Sequence, residues 1–520
     1  MRRVPPVAVY LAIAVFFTWP AVLHPIAAVP GAPRTDLWDS LWSLWYFAER
    51  VMAGQVPLRV DGLLNHPHGG ALWVADPINA VLALPLLPVL GVPATWTMLI
   101  LGHMVFAGMM AHRLGEEVSG SGWVTGVCYA SAPILLAHVH NGASEVVGTG
   151  FLALSALTTW RLRSGGSVLA AGLALGLCTV SSWYFGVGAF LLLLALSPWR
   201  AMFGAGTLAV ALAGPVAALA HHAATQKDNV VGIKNDREVA TVRRTIGSAD
   251  PVGYLMPGDY RSPDFRELSR YGEEYIHCHY LGWVTLLAAA LALRRRGGTA
   301  GWWLAAGIAG ALACGPVLTR AGAPVILPGR LAIPLPYLLL DGLPGFSSLS
   351  LLWRLAQVPA LCLAVLAGRG VAARFALPVC LAMIAETRFV SPMAGLPDTT
   401  DARMSAPIVA LAAEPDGAVM NFPVAGGRAF LYEQTVHHKP LTGGLNFPNN
   451  LASRRVWKAI LDHPDAASVT DAARADGIRY LVVHLDPMVR PDMHDTAVRS
   501  LKGLFTPIAE GEGVRVYRFW

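Results

Sequence analysis

The sequence predicts a polytopic α-helical membrane protein of about eleven transmembrane helices with a small soluble α/β domain at its C-terminal end. Hydrophobic residues make up 54% of the chain and charged residues 14%, whereas soluble globular domains carry about 25% charged residues. Apolar runs of spanning length recur through residues 1–390. In residues 391–520, charges of both signs are balanced and short helix and strand patterns alternate. We therefore divide the chain into a transmembrane domain, residues 1–390, and a C-terminal region, residues 391–520.

The apolar runs define the predicted spans, because a helix needs about 20 mostly apolar residues to cross a bilayer. Residues 6–29 are expected to remain as the first helix, since the run is too long for a signal peptide and no small-residue cleavage site follows. The segment 78–91 is about fourteen residues long with two prolines, which suits an interfacial or re-entrant piece better than a span. The predicted spans lie near residues 6–29, 93–114, 121–137, 146–162, 166–182, 184–197, 201–222, 279–293, 299–317, 354–370 and 373–390.

Arginines between the apolar runs predict the orientation, because cytoplasmic loops carry an excess of basic residues. A cytoplasmic N-terminus places the loops 30–92, 223–278 and 318–353 and the C-terminal region outside. If 78–91 were counted as a full span, every arginine after it would be placed on the outer side of the membrane. With eleven spans, the arginines expected on the cytoplasmic side are Arg113, Arg161, Arg163, Arg200, Arg294, Arg295, Arg296, Arg369 and Arg374.

Composition also argues against two kinds of site. The net charge is +6, but the basic residues are scattered between apolar runs rather than gathered into a face that would bind nucleic acid. Five of the six cysteines lie in apolar runs, where a thiol behaves as a small hydrophobic group. The chain contains no CxxC pair, so neither a disulfide framework nor a zinc site is indicated.

The C-terminal region has local patterns of its own. "GAVMNFPV", "IRYLVVH" and "VRVYRFW" predict strands, because each is rich in β-branched and aromatic residues. "DAASVTDAARADG" predicts a helix that ends at a glycine directly before the second of these strands. A small α/β domain is the arrangement that these elements favour.

The stretch "PGAPRTDLWDSLWSLWYFAER" places paired carboxylates and a tryptophan stripe directly after the first apolar run. As a helix it is amphipathic, and it is predicted to lie flat on the outer membrane interface with its tryptophans toward lipid and its carboxylates toward water. Alternatively, and compatibly, Asp36 is an N-cap and Asp39 the N3 residue of a capping box. The polar face contains Asp36, Asp39, Ser43, Tyr46 and Arg50, and the apolar face contains Trp38, Leu41, Trp42 and Trp45.

A second candidate group lies later in the first loop, in "NHPHGGALWVADP". His66, His68 and Asp76 combine an H-x-H pair with a carboxylate, a set that can bind a hard metal ion or a phosphate. The alternative is a turn rich in proline and glycine whose histidines only face water.

Further polar residues stand at predicted outer ends of spans. His138, His140 and Glu145 lie between the third and fourth spans, where polar side chains commonly line a cavity. A short solvated loop is the alternative. Glu274 precedes the eighth span and is either part of the same site or a side chain that reaches the interface.

In this order, the elements resemble the GT-C superfamily of integral membrane glycosyltransferases, in particular a prokaryotic branch that is largely uncharacterised. The resemblance covers most of the chain, and the order of the motifs is more specific than any one of them. The motifs that carry it are "TDLWDSLWSLW", "AGQVPL", "NHPHGGALW", "AHVHNGASE", "EEYIHCHYLGW", "PGFSSL" and "EQTVHHKPLTGG".

The resemblance implies a bacterial inner-membrane enzyme of the cell envelope that takes a hexose or pentose from a polyprenyl-phosphate donor. The acceptor would be an extracytoplasmic glycan, lipid or protein. Asp36 is the leading general base, and Asp39 would orient it or help to hold a divalent cation, Mg²⁺ or Mn²⁺, for which Asp76 is a second candidate ligand. The remaining candidates for substrate binding are His66, His68, Asp76, His138, His140, Glu145 and Glu274.

Two features depart from the family pattern, and two other functions stay open. The carboxylates of Asp36 and Asp39 are three residues apart rather than adjacent, and Arg354 is displaced from the position usual for an arginine after "SSL". A transporter or flippase of lipid-linked substrates and a non-catalytic envelope-assembly protein are the alternatives. Most predicted spans lack charge at their centres while the polar groups gather on one face, which favours an external active site over alternating access.

Overall fold

The first 390 residues form a bundle of α-helices around one large apolar core. A computed structural model describes residues 4–73, 76–230, 243–260, 274–295, 297–329, 331–343, 345–346, 349–393, 397–422, 428–445, 450–462, 465–485, 499–501 and 503–520. The helices of this part are α1 (Pro6–Phe17), α2 (Leu37–Met52), α3 (Pro77–Ala83), α4 (Leu87–Val118), α5 (Gly122–Ala130), α6 (Pro133–His140), α7 (Ser144–Val147), α8 (Thr149–Arg161), α9 (Val168–Ser181), α10 (Trp183–Leu196), α11 (Trp199–Thr225), α12 (Trp283–Leu291), α13 (Ala300–Ala313), α14 (Gln357–Gly370) and α15 (Ala376–Phe389).

Every one of the predicted spans contains a helix, and the protein is a helical membrane protein. Within the described part of the chain, 4 helical stretches are long and apolar enough to cross a membrane. Several others, such as α9 and α13, are apolar but shorter, so the number of crossings stays a prediction. The long stretches are Leu87–Val118, Gly122–His140, Trp199–Thr225 and Leu352–Gly370.

The segment 78–91 is broken, in agreement with its short apolar length. It forms most of α3 and then the first residues of α4, where Gly91 adopts a φ of 73°. Such a φ is open to glycine without the steric penalty that a side chain carries, so the chain turns here before the long apolar part of α4 begins.

The bundle has two chemically distinct ends. At one end Arg161 pairs with Glu117 at 2.5 Å, and Arg369 donates to the carbonyl of Val118 at 3.4 Å. Arg354 lies fifteen residues before Arg369 and just before the other end of α14. At 1.5 Å per residue, the two arginines are about 22 Å apart along the helix axis. The arginines used to predict the orientation thus include a cluster at one end, and the predicted catalytic residues lie near the other.

The described residues between 397 and 520 contribute a four-stranded mixed sheet and four helices. The sheet order is β7-β8-β10-β9, in which β7 and β8 are parallel and the remaining neighbours are antiparallel. The predicted strands and the predicted helix at 466–475 are confirmed. The helices are α16 (Ala406–Ala413), α17 (Ala429–His437), α18 (Leu451–Asp462) and α19 (Ala466–Ala475). The strands are β7 (Ala418–Phe422), β8 (Ile478–His484), β9 (Pro507–Gly511) and β10 (Val514–Arg518).

Short strands tie distant parts of the chain together before this sheet begins. Strand β1 (Ala28–Pro30) pairs antiparallel with β6 (Thr399–Asp401), which anchors the start of the C-terminal region beside the first loop. Within the loop 318–353, two small hairpins precede the helix α14. They consist of β2 (Thr319–Arg320) with β3 (Ala323–Pro324), and β4 (Ile326–Leu327) with β5 (Leu331–Ala332).

Helix α2 forms where the sequence predicts it, but the predicted environment of its tryptophans is wrong. Trp42 is fully buried, and its indole N–H donates to the side chain of Gln434 at 2.8 Å. Trp38 stacks on Tyr432 with ring centroids 5.0 Å apart. The apolar face of α2 therefore packs on α17 of the C-terminal region instead of facing lipid. An amphipathic pattern specifies that a face is apolar, and either lipid or protein satisfies it.

We expect Trp42→Ala to destabilise the contact between α2 and the C-terminal region by about 3 to 5 kcal/mol, because it leaves a cavity and an unpaired Gln434 amide. Limited proteolysis of the purified protein should release a C-terminal fragment earlier than in the wild type. Trp199→Ala is the matched control, since that ring is 64% exposed and should contribute less than about 0.5 kcal/mol. Equal protease resistance of the two variants would contradict the buried position of Trp42.

Candidate functional site

Asp36 stands at the N-terminal end of α2 and is held by residues far away in sequence. It occupies the N-cap position, yet its side chain makes no capping hydrogen bond, so the capping-box alternative is wrong for this residue. The Tyr275 hydroxyl instead donates to Asp36 Oδ1 at 2.7 Å. With the side chain 30% exposed, the carboxylate remains accessible to a substrate.

The second carboxylate of the pair binds an arginine from the C-terminal region. Arg428 forms a close ion pair with Asp39, and its Nη1 also lies 3.8 Å from Asp36 Oδ1. The backbone of Arg428 adopts the left-handed conformation, with a φ of 57°, directly before α17 begins. Asp39 Oδ1 is buried without a hydrogen-bond partner. One guanidinium therefore neutralises part of the charge of both carboxylates.

The loop after α6 joins these parts into one site. The side-chain amide of Asn141 exchanges two hydrogen bonds of 2.8 Å with the backbone of Ile276. The backbone carbonyl of Asn141 accepts a hydrogen bond from the backbone N–H of Asp36 at 3.1 Å. Gly142 has a φ of 60°, and a Cβ there would lie 2.4 Å from the Cα of Leu37. The segment carrying Tyr275 is thereby fixed against the start of α2.

Two further arginines of this region are each paired with an acid. Arg354 is buried and its Nη1 lies 2.5 Å from Glu145 Oε1. Its charge also interacts with that of Asp36, which places the two groups in the same region. Arg34 lies 3.5 Å from Glu274, whose backbone carbonyl interacts with His140 Nε2 at 2.9 Å. The structure therefore brings His140, Glu145 and Glu274 together with the aspartates.

An aromatic stack continues from this region into the bundle. Trp353 lies between His138 and His277, with ring centroids 5.0 and 5.2 Å away. His138 is fully buried, and neither of its ring nitrogens has a hydrogen-bond partner. This candidate is placed inside the helical core next to Arg354 rather than on an open surface.

The candidates of the later first loop are more dispersed. The His66 ring interacts with the carbonyl of Asp476 at 2.9 Å and so contacts the C-terminal region, while His68 is exposed. No contact in the described residues joins either histidine to Asp36 or Asp39. Their predicted role in substrate binding is therefore left without geometric support, although it stays a prediction.

Asp76 belongs to a buried network beside Glu145. It caps α3, accepting hydrogen bonds from the backbone and side chain of Asn79 at 3.0 and 2.5 Å. The Asn79 side chain also donates to the Ser144 carbonyl at 3.0 Å and bonds to His103. Burial is the main cause that raises the pKa of Asp76 to about 7; the nearby charge of Glu145 contributes to this rise, and the hydrogen bonds from Asn79 oppose it. Asp76 is thus a positioning group for the loop that carries Glu145.

The residues present do not form a divalent-cation site as they are arranged. The guanidinium of Arg428 lies between Asp36 and Asp39, where a cation bound to both would sit. Asp76 has its carboxylate bonded to Asn79 and is part of a separate network. Throughout the described ranges, no group of three histidine, cysteine, aspartate or glutamate side chains could hold a metal ion.

Sequence reasoning missed Arg428 and Tyr275, the two residues that contact the aspartates. Arg428 follows β7 by a few residues, in "PVAGGRAF", and the only sequence signal was its place after a predicted strand. Tyr275 stands next to the predicted Glu274, so the local motif was correct although the residue was not singled out.

The fold resembles solved membrane glycosyltransferases. It superposes on the arabinofuranosyltransferase AftD from mycobacteria with a TM-score of 0.52 and 17% identity, covering 99% of this chain and 39% of AftD. A single-residue mutant of AftD gives a TM-score of 0.50 and 18% identity, covering 99% of this chain and 41% of that one. The chain has the GT-C fold. By the coverage of 39%, this chain spans about two fifths of the length of AftD.

The oligosaccharyltransferase of Archaeoglobus fulgidus also superposes on this chain, with a TM-score of 0.48 and 11% identity, covering 92% of this chain and 69% of that protein. At the level of sequence, no family model and no curated protein matches.

Because burial raises the pKa of Asp76 to about 7, its contribution to stability has a predictable sign. The folded state retains a proton that the unfolded state releases near pH 4, so stability should fall as pH rises from about 4 to about 7. Between pH 5 and pH 8 the wild type should lose about 2 to 3 kcal/mol relative to Asp76→Asn, as measured by thermal or denaturant unfolding in detergent.

Asp61→Asn is the matched control for this titration. Its hydrogen bonds with Arg59 lower the pKa of Asp61, so any pH effect of that carboxyl lies below pH 4. Parallel stability curves for the wild type and Asp76→Asn over pH 5 to 8 would contradict a raised pKa for Asp76.

Proposed function

We propose that this protein is a membrane glycosyltransferase that moves a hexosyl or pentosyl group from a polyprenyl-phosphate donor to a hydroxyl of an extracytoplasmic acceptor. The observation that carries this proposal is the accessible carboxylate of Asp36, which lies beside Asp39, 3.8 Å from Arg428 and within range of the charge of Arg354. The GT-C fold, shared with AftD, supports the same class of reaction. The proposed location is the bacterial plasma membrane, with the site on the outer side.

Asp36 suits the role of general base. Tyr275 donates to Oδ1, which leaves Oδ2 to accept the proton of the acceptor hydroxyl. As that O–H bond breaks, the acceptor oxygen forms a bond to C1 of the sugar. The bond between C1 and the phosphate oxygen breaks at the same time, and its electron pair stays on the departing polyprenyl phosphate. Attack opposite the phosphate inverts the configuration at C1.

Asp39 acts through Arg428 and not on the substrate directly. The ion pair fixes the guanidinium next to Asp36, and the two positions of α2 are one helical turn apart. A fixed positive charge here lies close to the negative charge that the departing phosphate develops. This assigns the positive charge of the mechanism to protein side chains, and the proposal needs no bound cation.

Arg354 is the arginine best placed to bind the phosphate at the membrane surface. It lies in the 3₁₀ turn Leu352–Ala356 that leads into α14, and its guanidinium covers the ring of Tyr184 at 5.3 Å. Its Nε is buried without a hydrogen-bond partner, so one donor direction is unused. A buried, pre-oriented guanidinium can stabilise a departing phosphate because it needs no reorganisation during the reaction. Arg354 therefore remains a candidate for the phosphate site, although it is displaced from the position usual for an arginine after "SSL".

The competing functions are less well supported. A flippase would need ionisable groups along a path through the bundle, whereas the charged pairs around Asp36 gather beyond one end of the helices. A non-catalytic assembly protein would not require Asp36 to remain accessible with an unpaired oxygen. Transfer of a radiolabelled sugar from polyprenyl phosphate, measured with purified protein in liposomes, separates the three functions.

Asp36→Asn should lower the rate of sugar transfer by about 10²–10⁴-fold, since the amide keeps the hydrogen bond from Tyr275 but cannot accept the proton. Radiolabelled product from a polyprenyl-phospho-sugar donor is the measurement. Asp61→Asn, an aspartate of the same loop paired with Arg59, is the control and should retain full activity. Undiminished transfer by Asp36→Asn would remove Asp36 from the base role.

Arg354→Gln should lower kcat by about 10²–10³-fold, because the departing phosphate loses a fixed positive charge. Arg354→Lys should recover part of this loss, as a point charge replaces a planar one. Arg369 lies at the far end of the same helix, so Arg369→Gln should leave kcat unchanged. This variant is the control for damage to α14. If both arginine-to-glutamine variants lowered kcat equally, Arg354 would not be the phosphate ligand.

A further inference from the structure

The two parallel strands of the C-terminal sheet end in a group of polar side chains. Asn421 is the penultimate residue of β7, and His484 is the last residue of β8. Asn421 pairs in register with Val482, and side chains two residues apart on a strand point to the same face, so Asn421 and His484 share one face. Their side chains are in contact, with His484 Nε2 3.2 Å from Asn421 Oδ1.

Glu433 of α17 completes this group. Its Oε2 lies 3.6 Å from His484 Nε2, which is outside hydrogen-bond distance. Glu433 is 7% exposed, and among the described residues nothing is seen to donate a hydrogen bond to its carboxylate. Burial raises the pKa of this carboxyl, and the nearby His484 lowers it. A buried carboxylate without a donor is costly, so this group has unused capacity to accept hydrogen bonds.

The position of the group relative to the proposed reaction is set by α17. Arg428, which contacts Asp39, lies directly before this helix, and Glu433 follows it by five residues, or about 7.5 Å along the axis. Tyr432, the neighbour of Glu433, stacks on Trp38 of α2. Glu433 thus lies on a helix that packs against α2, at whose start Asp36 stands. In open α/β sheets, ligands commonly bind outside the carboxyl ends of parallel strands.

We propose that Asn421, Glu433 and His484 form a binding site for a neutral, hydroxyl-rich glycan, which is the acceptor side of the transfer reaction. This proposal rests on the proposed function for its role, but the binding site itself does not require catalysis. A sugar hydroxyl can donate to the Glu433 carboxylate and accept from the amide of Asn421. The anionic polyprenyl phosphate is not expected to bind here, because the Glu433 carboxylate would repel it. In the described part of the chain the charged partner of Glu433 is a histidine, His484.

The site can be tested with the whole protein in lipid nanodiscs on a printed array of neutral hexose and pentose oligosaccharides. Each oligosaccharide is presented with and without a lipid anchor, which distinguishes free glycans from lipid-borne ones. The wild type should bind a subset in both forms. Glu433→Gln and, independently, His484→Gln should raise the half-saturating concentration at least tenfold, while Glu510→Gln, on the edge strand β9, should leave it unchanged.

The outcomes separate this site from the proposed reaction. Retained glycan binding by Asp36→Asn together with lost transfer supports both. Retained binding by an Asp36→Asn variant that still transfers sugar removes the base assignment and leaves the glycan site standing. Equal binding by the wild type, Glu433→Gln and His484→Gln, absence of wild-type binding to every oligosaccharide, or binding that needs the lipid anchor would overturn the glycan site. Unchanged thermal unfolding of the two variants excludes misfolding as the cause of a loss.

Discussion

The packing of α17 on α2 is the contact on which the site depends. It buries Trp38 and Trp42 against Tyr432 and Gln434, joining a helix near the start of the chain to one near its end. Because Arg428 directly precedes α17, the same contact delivers its guanidinium to Asp36 and Asp39. If the apolar face of α2 faced lipid, the two carboxylates would lose this partner. Tryptophan burial and carboxylate chemistry are thus consequences of one interface.

Much of the fold was predictable because a membrane imposes a simple length rule. Apolar runs long enough to span predicted where helices occur, and the interruption at 78–91 followed from its length and its prolines. The strands at 418–422 and 478–484 were also predictable from short apolar patterns, which in 478–484 are rich in β-branched residues. These are local properties, carried by ten to twenty consecutive residues. The environment of an amphipathic face is not local, which is why the interfacial placement of Trp38 and Trp42 failed.

The sequence predicted the acidic residues and the histidine of the site but not the residues that contact them. Asp36, Asp39, His140, Glu145 and Glu274 stand in recognisable motifs at the ends of apolar runs, and the structure brings them together. Their partners were hidden because each contact joins residues far apart in the chain. The bond between Tyr275 and Asp36 spans 239 positions, and the ion pair of Arg428 crosses most of the chain. Nothing in the spacing of either residue identifies its partner, so only the folded chain reveals the pairing.

The pairing of charges explains how the site can be both stable and reactive. Arg34, Arg354 and Arg428 each contact at least one acid, so none of these three charges is isolated next to the apolar core. Satisfied pairs hold their geometry, and within the described residues that geometry leaves the Nε of Arg354 without a hydrogen-bond partner. An unused buried donor or acceptor is costly in the free protein, and a substrate that bonds to it recovers this cost. The same reasoning extends to Glu433, on the helix that directly follows Arg428, because no described residue is seen to donate a hydrogen bond to its carboxylate, which faces His484 at 3.6 Å. Donor and acceptor would then be held by groups on the two sides of one interface, the membrane helices and α17.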